Sequence, residues 1–285
     1  MADKVFGIDV SKWQGNFDFS KAMNEGVKFA ILRGAYAKSK DVKFEQFYTT
    51  CKSLNLPVGV YHYSMAKTVN EAINEANYLI SNVLKGKQFE YPIYMDVEDA
   101  TQKKLGKKLL TDIVVAYCET LENAGYYVGI YSSKSFFSTY MDEKRLEPYD
   151  KWVAQWSKDC TYGSSYGMWQ FGGETNLIRS NKIAGVTCDQ DYALKDYPTI
   201  IKKAKLNGYN GATVPAVTTV PTAPTPSINV GDTVAVINAI NYDNGKKFVK
   251  WHSKYTVMAL KGSRAVIGVK GVVTSAIDVK NLKKV

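Results

Sequence analysis

The stretch Tyr91-Pro92-Ile93-Tyr94-Met95-Asp96-Val97-Glu98 reads as a β-strand that ends in two acids. Successive side chains of a strand point to opposite faces, so Tyr94, Asp96 and Glu98 share one face and the apolar residues between them share the other. The apolar face can pack under a helix, and the acids then point out of the carboxyl end of the strand. In barrels of parallel strands, active sites lie at that end.

The same alternation of strands and helices continues on both sides of this stretch and is typical of a parallel sheet. Eight strands in about 200 residues predict an α/β fold, an irregular (β/α) TIM-like barrel with a shortened helix complement. An open doubly wound sheet is the rival, but no GxGxxG turn follows the first strand. The candidate strands are Phe6–Val10, Phe29–Ala35, Val58–Tyr63, Tyr91–Glu98, Tyr127–Ser132, Trp152–Trp156, Met168–Phe171 and Val186–Tyr192, and the candidate helices are Phe44–Leu54, Asn70–Val83, Leu109–Ala124 and Thr199–Leu206.

A change in composition predicts a second, smaller domain. Residues 208–227 hold four of the eight prolines and no charged side chain, as is typical of an extended linker. We therefore expect a barrel over residues 1–207 and a small all-β SH3-like barrel over residues 228–285. The small domain carries ten basic and three acidic side chains, most of the net charge of +10, and should associate with an anionic surface. Its candidate strands are Thr233–Ile237, Lys247–Trp251, Tyr255–Leu260 and Ala265–Val269.

Several classes of protein are disfavoured by the composition. The two histidines, His62 and His252, fall in different predicted domains, so a zinc site or a Ser-His-Asp triad is poorly supplied. The four cysteines show no metal-ligand spacing, and we expect free thiols, no metal and no cofactor. With no run of about 18 apolar residues and no signal-peptide pattern, we expect synthesis in the cytoplasm, no membrane insertion and release by another factor.

Further acids occur in the first and last candidate strands. Asp9 ends the first strand, and Asp189 lies in the last. The first and last strands of a closed barrel are neighbours, so these acids are expected to meet Asp96 and Glu98 at one mouth. Glycoside hydrolysis needs a protonated acid and a second carboxylate, and crowding raises carboxyl pKa values. The alternatives are solvated strand-end charges and, for Asp9, a helix N-cap; Asp191 is interpreted as structural.

Aromatic and amide side chains lie near the ends of several other candidate strands. Such groups suit a polysaccharide groove, because sugar rings stack on flat rings and N-acetyl groups form hydrogen bonds. His62 alternates with its tyrosine neighbours and is interpreted as structural. The candidate substrate-binding residues are Tyr61, Tyr63, Tyr131, Gln155, Trp156 and Gln170.

Six motifs occur in order over residues 5–200: Asp9-x-Ser11-x-x-Gln14, Gly59-Val60-Tyr61-His62-Tyr63, Tyr94-Met95-Asp96-Val97-Glu98, Trp152-Val153-Ala154-Gln155-Trp156, Trp169-Gln170-Phe171 and Cys188-Asp189-x-Asp191. Together they resemble family 25 glycoside hydrolases, the N-acetylmuramidases or Chalaropsis-type lysozymes that are common among phage endolysins. The resemblance implies an incomplete (β/α) barrel that cleaves peptidoglycan after N-acetylmuramic acid, with Glu98 as general acid, Asp96 assisting, and Asp9 and Asp189 completing the acidic cluster. Asp191 departs from the pattern, where Asn is more usual. The tail is similar to bacterial SH3-like wall-binding modules.

The resulting hypothesis is a lysozyme-type glycoside hydrolase, a phage endolysin that acts on the wall of a Gram-positive host. Its partners would be bacterial peptidoglycan and cell-wall polymers, not nucleic acid. Hydrolysis would retain configuration, through the substrate's N-acetyl oxygen or through a carboxylate nucleophile. One alternative is a chitinase-like enzyme, although its pattern has a further acid where this chain has Tyr94. The other is a non-catalytic wall-binding or nucleic-acid-binding protein that relies on the basic tail.

Overall fold

The computed structural model describes residues 4–209, 228–243, 246–250 and 252–285. These residues form two compact units, one on either side of the gap that begins at residue 210. The linker predicted over residues 208–227 lies outside the described residues from residue 210 onward, and so does Trp251. No helix in the described ranges has the length and apolar character that a membrane span requires.

The first unit is an eight-stranded closed barrel, which confirms the predicted fold class. The first strand pairs with the last strand on one side and with the second strand on the other, and these two pairings close the sheet into a ring. The strands are β1 (Val5–Val10), β2 (Ala30–Tyr36), β3 (Val58–Tyr63), β4 (Ile93–Asp96), β5 (Val128–Ser133), β6 (Asp150–Ala154), β7 (Met168–Gly172) and β8 (Asp189–Ala193).

The direction of the last strand corrects the expectation of a parallel sheet. Strands β1 to β7 run parallel, but β8 runs antiparallel to both of its neighbours, β1 and β7. Asp189 is therefore the first residue of β8, and it pairs with Asp9 near the carboxyl end of β1. At the opposite end of the barrel, Val5 pairs with Ala193.

Aromatic side chains fill the interior of the barrel. Tyr94 and Trp152 are fully buried there, with ring centroids 5.1 Å apart. The close fit needs a glycine on β5, because a Cβ atom at Gly129 would lie 2.4 Å from the Tyr94 ring. Ile93, Met95 and Val97 point outward into a second core beneath the helices, as their alternation with Tyr94 predicts.

Six helices are described in the first unit. Two of them, Phe19–Asn24 and Lys134–Tyr140, carry no prediction, and the helix Val69–Leu79 gives way to a π-helical turn, Ile80–Leu84. The helices are α1 (Phe19–Asn24), α2 (Phe44–Ser53), α3 (Val69–Leu79), α4 (Lys107–Asn123), α5 (Lys134–Tyr140) and α6 (Tyr197–Lys203).

After α6 the chain packs against the end of the barrel opposite the carboxyl ends of β1 to β7. The Asn207 side chain accepts a hydrogen bond from Tyr127 N at 2.8 Å and donates one to Tyr91 O at 2.9 Å. Gly208 O accepts a bond from Gln88, and the Tyr209 hydroxyl donates one to Glu90. The contacts of the first unit thus extend two residues beyond the boundary predicted at residue 207.

The second unit contains one five-stranded antiparallel sheet around a small apolar core. The strand predicted over Lys247–Trp251 is wrong as far as it is described, because Lys247 forms only an isolated bridge with Ile240. The two edge strands, Val272–Asp278 and Leu282–Lys284, carry no strand prediction. The strands are β9 (Thr233–Val236), β10 (Tyr255–Lys261), β11 (Arg264–Val269), β12 (Val272–Asp278) and β13 (Leu282–Lys284).

Candidate active site

A cavity of about 280 Å³ opens at the carboxyl ends of strands β1 to β7, where the sequence predicts the active site. The four predicted catalytic carboxylates all line it, together with four of the six predicted substrate-binding residues. The lining residues are Asp9, Ser11, Trp13, Gln14, Arg33, Tyr61, Tyr63, Asp96, Glu98, Tyr131, Trp152, Gln170 and Asp189.

Asp96 and Glu98 lie at different depths. Asp96 is the last residue of β4, between Tyr63 of β3 and Tyr131 of β5, and it is buried. Its Oδ1 atom accepts no hydrogen bond from any described residue. Burial raises the pKa of Asp96 well above its ordinary value, and the charge of Glu98 adds to this while Arg33 opposes it. Asp96 therefore offers a buried, unpartnered oxygen to a ligand.

Glu98 lies two residues beyond Asp96, at the exposed rim of the cavity. Partial desolvation raises its pKa, and the charge of the neighbouring Asp99 raises it further. Asp99 is itself held by Thr101 and by the Tyr63 hydroxyl, which donates to it at 3.3 Å. A carboxyl whose pKa is raised at an open rim is suited to general acid catalysis.

Asp9 and Asp189 face each other from paired positions of β1 and β8. Burial raises the pKa of Asp9 well above its ordinary value, and the charges of Asp189 and Asp191 raise it further. Burial raises the pKa of Asp189 to about 6, with contributions from Glu98 and Glu174. Asp9 does not cap a helix, since Ser11 caps the turn after β1 and Asp18 caps α1.

Gln170 of β7 links the acids to the aromatic wall of the cavity. Its Nε2 donates to Asp9 Oδ2 at 2.8 Å, and its Oε1 accepts from the Tyr131 hydroxyl at 2.9 Å and from Trp156 Nε1 at 3.1 Å. Trp156 thus adjoins the cavity through Gln170 without lining it. These bonds fix the orientation of the Gln170 amide, so one oxygen of Asp9 always receives a donor.

Gln155 is the predicted site residue that the structure does not bring to the cavity. Strand β6 ends at Ala154, so Gln155 no longer follows the alternation of the strand. Its amide nitrogen donates to Asp159 O and to Thr161 Oγ1, and its amide oxygen accepts from Thr161 N. Gln155 braces the loop that follows β6.

Two residues that line the cavity were not among the predicted site residues. Arg33 of β2 is the one basic side chain among the described lining residues, and it forms an ion pair with Asp41 at 2.7 Å. A single arginine in a strand gives no pattern that would reveal this role. Trp13, in contrast, lies inside the motif Asp9-x-Ser11-x-x-Gln14 and could have been singled out there; its indole is 75% exposed at the mouth.

Asp191 has the structural position expected from the sequence, together with a contact that the sequence does not predict. It is fully buried behind the cavity wall and accepts a hydrogen bond from Trp152 Nε1 at 2.8 Å. Because Trp152 lines the cavity, Asp191 supports the cavity from behind. Its position two residues after Asp189 on the same strand face was the available signal.

Comparison with known proteins connects this geometry to a family. The model of Glycosyl hydrolases family 25 matches residues 8–178. The autolytic lysozyme of Clostridium acetobutylicum is 24% identical over 151 residues, which are 53% of this chain and 44% of that protein. Lysozyme M1 of Streptomyces globisporus is 32% identical over 79 residues, which are 27% of this chain and 26% of that protein. The matches thus span less than half the length of these curated relatives.

Solved structures share the fold. The CTP1L endolysin superposes with a TM-score of 0.58 at 23% identity, over 70% of this chain and 69% of that one. The autolysin LytC of Streptococcus pneumoniae, in complex with a synthetic peptidoglycan ligand, superposes with a TM-score of 0.57 at 25% identity, over 66% of this chain and 46% of that one.

Proposed function

The chain belongs to glycosyl hydrolases family 25, and from this premise we propose that it is an N-acetylmuramidase. It would cleave the β-1,4 bond between N-acetylmuramic acid and N-acetylglucosamine in bacterial peptidoglycan. The observation that carries the proposal is the convergence of Asp9, Asp96, Glu98 and Asp189 on one cavity rimmed with aromatic rings. The lysozyme names of the curated relatives and the peptidoglycan ligand bound to LytC support this choice of substrate.

The depths of the carboxyls suggest their roles. Glu98, exposed at the rim with a raised pKa, protonates the glycosidic oxygen as the leaving group departs. The unpartnered Oδ1 of Asp96 accepts the acetamide N–H of the substrate and steadies the N-acetyl oxygen, which attacks the anomeric carbon. Asp9 and Asp189 then stabilise the positive charge that develops on the sugar ring. Attack by an enzyme carboxylate is the rival route.

The Glu98→Gln variant tests the acid. The amide keeps the size of the side chain but carries no transferable proton, so lysis of purified walls should fall by at least about a hundredfold. Binding to the same walls should be unchanged in a sedimentation assay. Glu147→Gln, at an exposed acid that does not line the cavity, is the control and should retain activity. A Glu98→Gln variant that clears peptidoglycan turbidity like the wild type would refute the assignment.

The bond cleaved is tested on the products. Mass analysis of released muropeptides, after reduction of the new ends, should show N-acetylmuramic acid at the reducing terminus. Reducing N-acetylglucosamine, or faster release from chitin than from peptidoglycan, would favour the chitinase-like alternative instead.

We further propose a biological setting, supported by the endolysin among the structural relatives and by the basic second unit. The chain would act as a phage endolysin that reaches the wall of a Gram-positive host after release from the cytoplasm. The second unit would serve as an SH3-like wall-binding domain that holds the enzyme on anionic cell-wall polymers.

A further inference from the structure

Asp191 of β8 is a buried carboxyl that the proposed mechanism does not use. Its side chain is fully excluded from solvent, and its Oδ1 accepts the Trp152 Nε1 bond at 2.8 Å. Its Oδ2 is buried and receives no hydrogen bond from a fixed donor among the described residues. One carboxyl oxygen of Asp191 therefore has a hydrogen-bond donor, and the other has none among the described residues.

The neighbouring carboxyl is that of Asp9. Gly7 pairs with Asp191 and Asp9 pairs with Asp189, so Asp9 and Asp191 lie diagonally on one face of the paired strands β1 and β8, within side-chain hydrogen-bonding reach. Ionised carboxylates only accept hydrogen bonds, so two of them can bond to each other only when one carries a proton. The second oxygen of Asp9 already accepts from Gln170 Nε2 at 2.8 Å. Each acid thus accepts a hydrogen bond from a neutral donor through one oxygen, and the second oxygen of Asp191 is buried without such a donor.

The surroundings favour a bound proton. Asp191 is faced by the carboxyls of Asp9 on β1 and Asp189 on β8, the thiol of Cys188 and the phenol of Tyr94 on β4. None of these is a cation. Asp9 is also faced by Asp96, Tyr61 and Tyr131, and the nearby cation Arg33 lowers the pKa values of Asp96 and Tyr61. Burial, reinforced by the charge of Asp189, raises the pKa of both Asp9 and Asp191, while the bonds from Gln170 and Trp152 oppose it.

We propose that Asp191 and Asp9 share one proton, and that Asp191 is a positioning residue that uses this proton to fix the Asp9 carboxyl at the cavity. Through its other oxygen the same residue holds Trp152 in the cavity wall. The catalytic consequence rests on the proposed function, whereas the shared proton does not. When the proton is lost at high pH, two adjacent buried charges repel each other and Asp9 loses its place.

The indole N–H of Trp152 reports directly on this proton, because it is bonded to Asp191. We would record ¹H–¹⁵N spectra of the full-length chain across the pH range and assign the Trp152 resonance with Trp152→Phe. In the wild type the resonance should titrate at least one pH unit above the ordinary Asp value of about 3.9. Asp9→Asn supplies a permanent donor and removes a charge, so the transition should move to lower pH. Asp191→Asn should abolish it.

The control is Asp159→Asn, an exposed acid in the loop after β6, which should leave the titration unchanged. The wild-type spectrum alone can overturn the proposal, since a transition within the ordinary Asp range excludes a shared proton. A raised transition that Asp9→Asn fails to move would assign the proton to Asp191 alone and would also overturn it.

Hydrolysis provides the second readout. Asp191→Asn keeps the acceptor for Trp152 and donates permanently to Asp9, so kcat/KM should stay within about threefold of the wild type at low pH. The kcat/KM of Asp191→Asn divided by that of the wild type should then rise about tenfold as pH rises through the titration of the Asp9–Asp191 pair. A purely structural role would give a ratio independent of pH. If the resonance titrates as expected but no peptidoglycan is cleaved, the proposed function fails while the shared proton stands.

Discussion

The carboxyl of Asp189 makes the stability of the barrel depend on pH. Burial and the charges of Glu98 and Glu174 raise its pKa to about 6, above the unfolded value of about 3.9. The folded chain therefore holds this proton more tightly than the unfolded chain. The stabilisation is complete below about pH 4 and is lost as pH rises through about 6.

Removal of this carboxyl should therefore stabilise the barrel at neutral pH. We expect Asp189→Asn to raise the free energy of unfolding at pH 7 by about 1–2 kcal/mol, a value reduced for partial exposure. The gain should disappear near pH 4. Denaturation followed by tryptophan fluorescence measures it, since four of the five tryptophans lie before residue 210. Equal stability of variant and wild type at pH 7 would contradict the raised pKa.

Trp13 provides a second test at the residue scale. One face of its indole is near Lys12 Nζ, 4.8 Å from the ring centroid, and the side chain is 75% exposed beside the acids. If a sugar ring stacks on it, Trp13→Ala should cost about 1 kcal/mol of binding, or roughly a fivefold rise in KM. Trp13→Phe should recover most of the loss on soluble glycan strands. A loss confined to kcat would point to a different role.

The strand alternation was enough to predict most of the candidate site. Asp9, Asp96 and Glu98 follow from acids at the ends of alternating strands, and Tyr61 and Tyr63 follow in the same way. Gln155 did not, because β6 ends one residue before it and the alternation stops there. Asp191 follows the alternation of its strand. Its hydrogen bond with the Trp152 indole joins two different strands, however, and no local sequence pattern reveals that contact.

Among the elements, β5 allows a test of the packed barrel interior. A Cβ atom at Gly129 would lie 2.4 Å from the Tyr94 ring, which is itself packed against Trp152. Gly129→Ala should therefore lower the free energy of unfolding by about 1–3 kcal/mol. The matched control is Gly163→Ala, where no atom lies within 4 Å of the added Cβ. Urea denaturation of both variants measures the difference, and equal costs would argue against a filled interior.

The reversed direction of β8 was the main failure of prediction at this scale. The alternation of strands and helices predicts eight parallel strands, although no helical pattern separates the last two candidate strands. A parallel pair needs a crossover connection, whereas an antiparallel pair does not. Between β7 and β8 the chain forms only a small two-stranded ribbon, Lys182–Ile183 with Val186–Thr187. The missing helix is not decisive by itself, because β6 and β7 run parallel with only a helix-free loop between them.

For the whole molecule, the contacts of Gly208 and Tyr209 with the barrel set where a truncation should be made. A chain ending at residue 209 keeps these contacts and should retain its activity on soluble glycan. Activity on intact cells should fall if the second unit binds the wall. Wall binding by the full chain should also weaken as salt rises, since the second unit carries ten basic and three acidic side chains. Sedimentation with purified walls at low and high salt measures this. Truncated and full-length chains that clear intact cells equally well would refute a targeting role.

The division into a barrel and a small basic unit was predictable from composition, because the proline-rich stretch and the charge difference are properties of the chain itself. The inner architecture of the small unit was not. Its edge strand β12 begins with exposed Val272 and Val273, so the alternation that marks a half-buried strand is absent there.

The docking of Asn207 has a practical consequence. This residue ties the end of the barrel's chain to the backbone beside β4 and β5, at the pole opposite the four acids, and Val5 enters at that same pole. A barrel ending at residue 209 and coupled to a solid support through either terminus would therefore present its cavity outward. Such an immobilised barrel should process glycan from solution in one uniform orientation, without redesign of its surface.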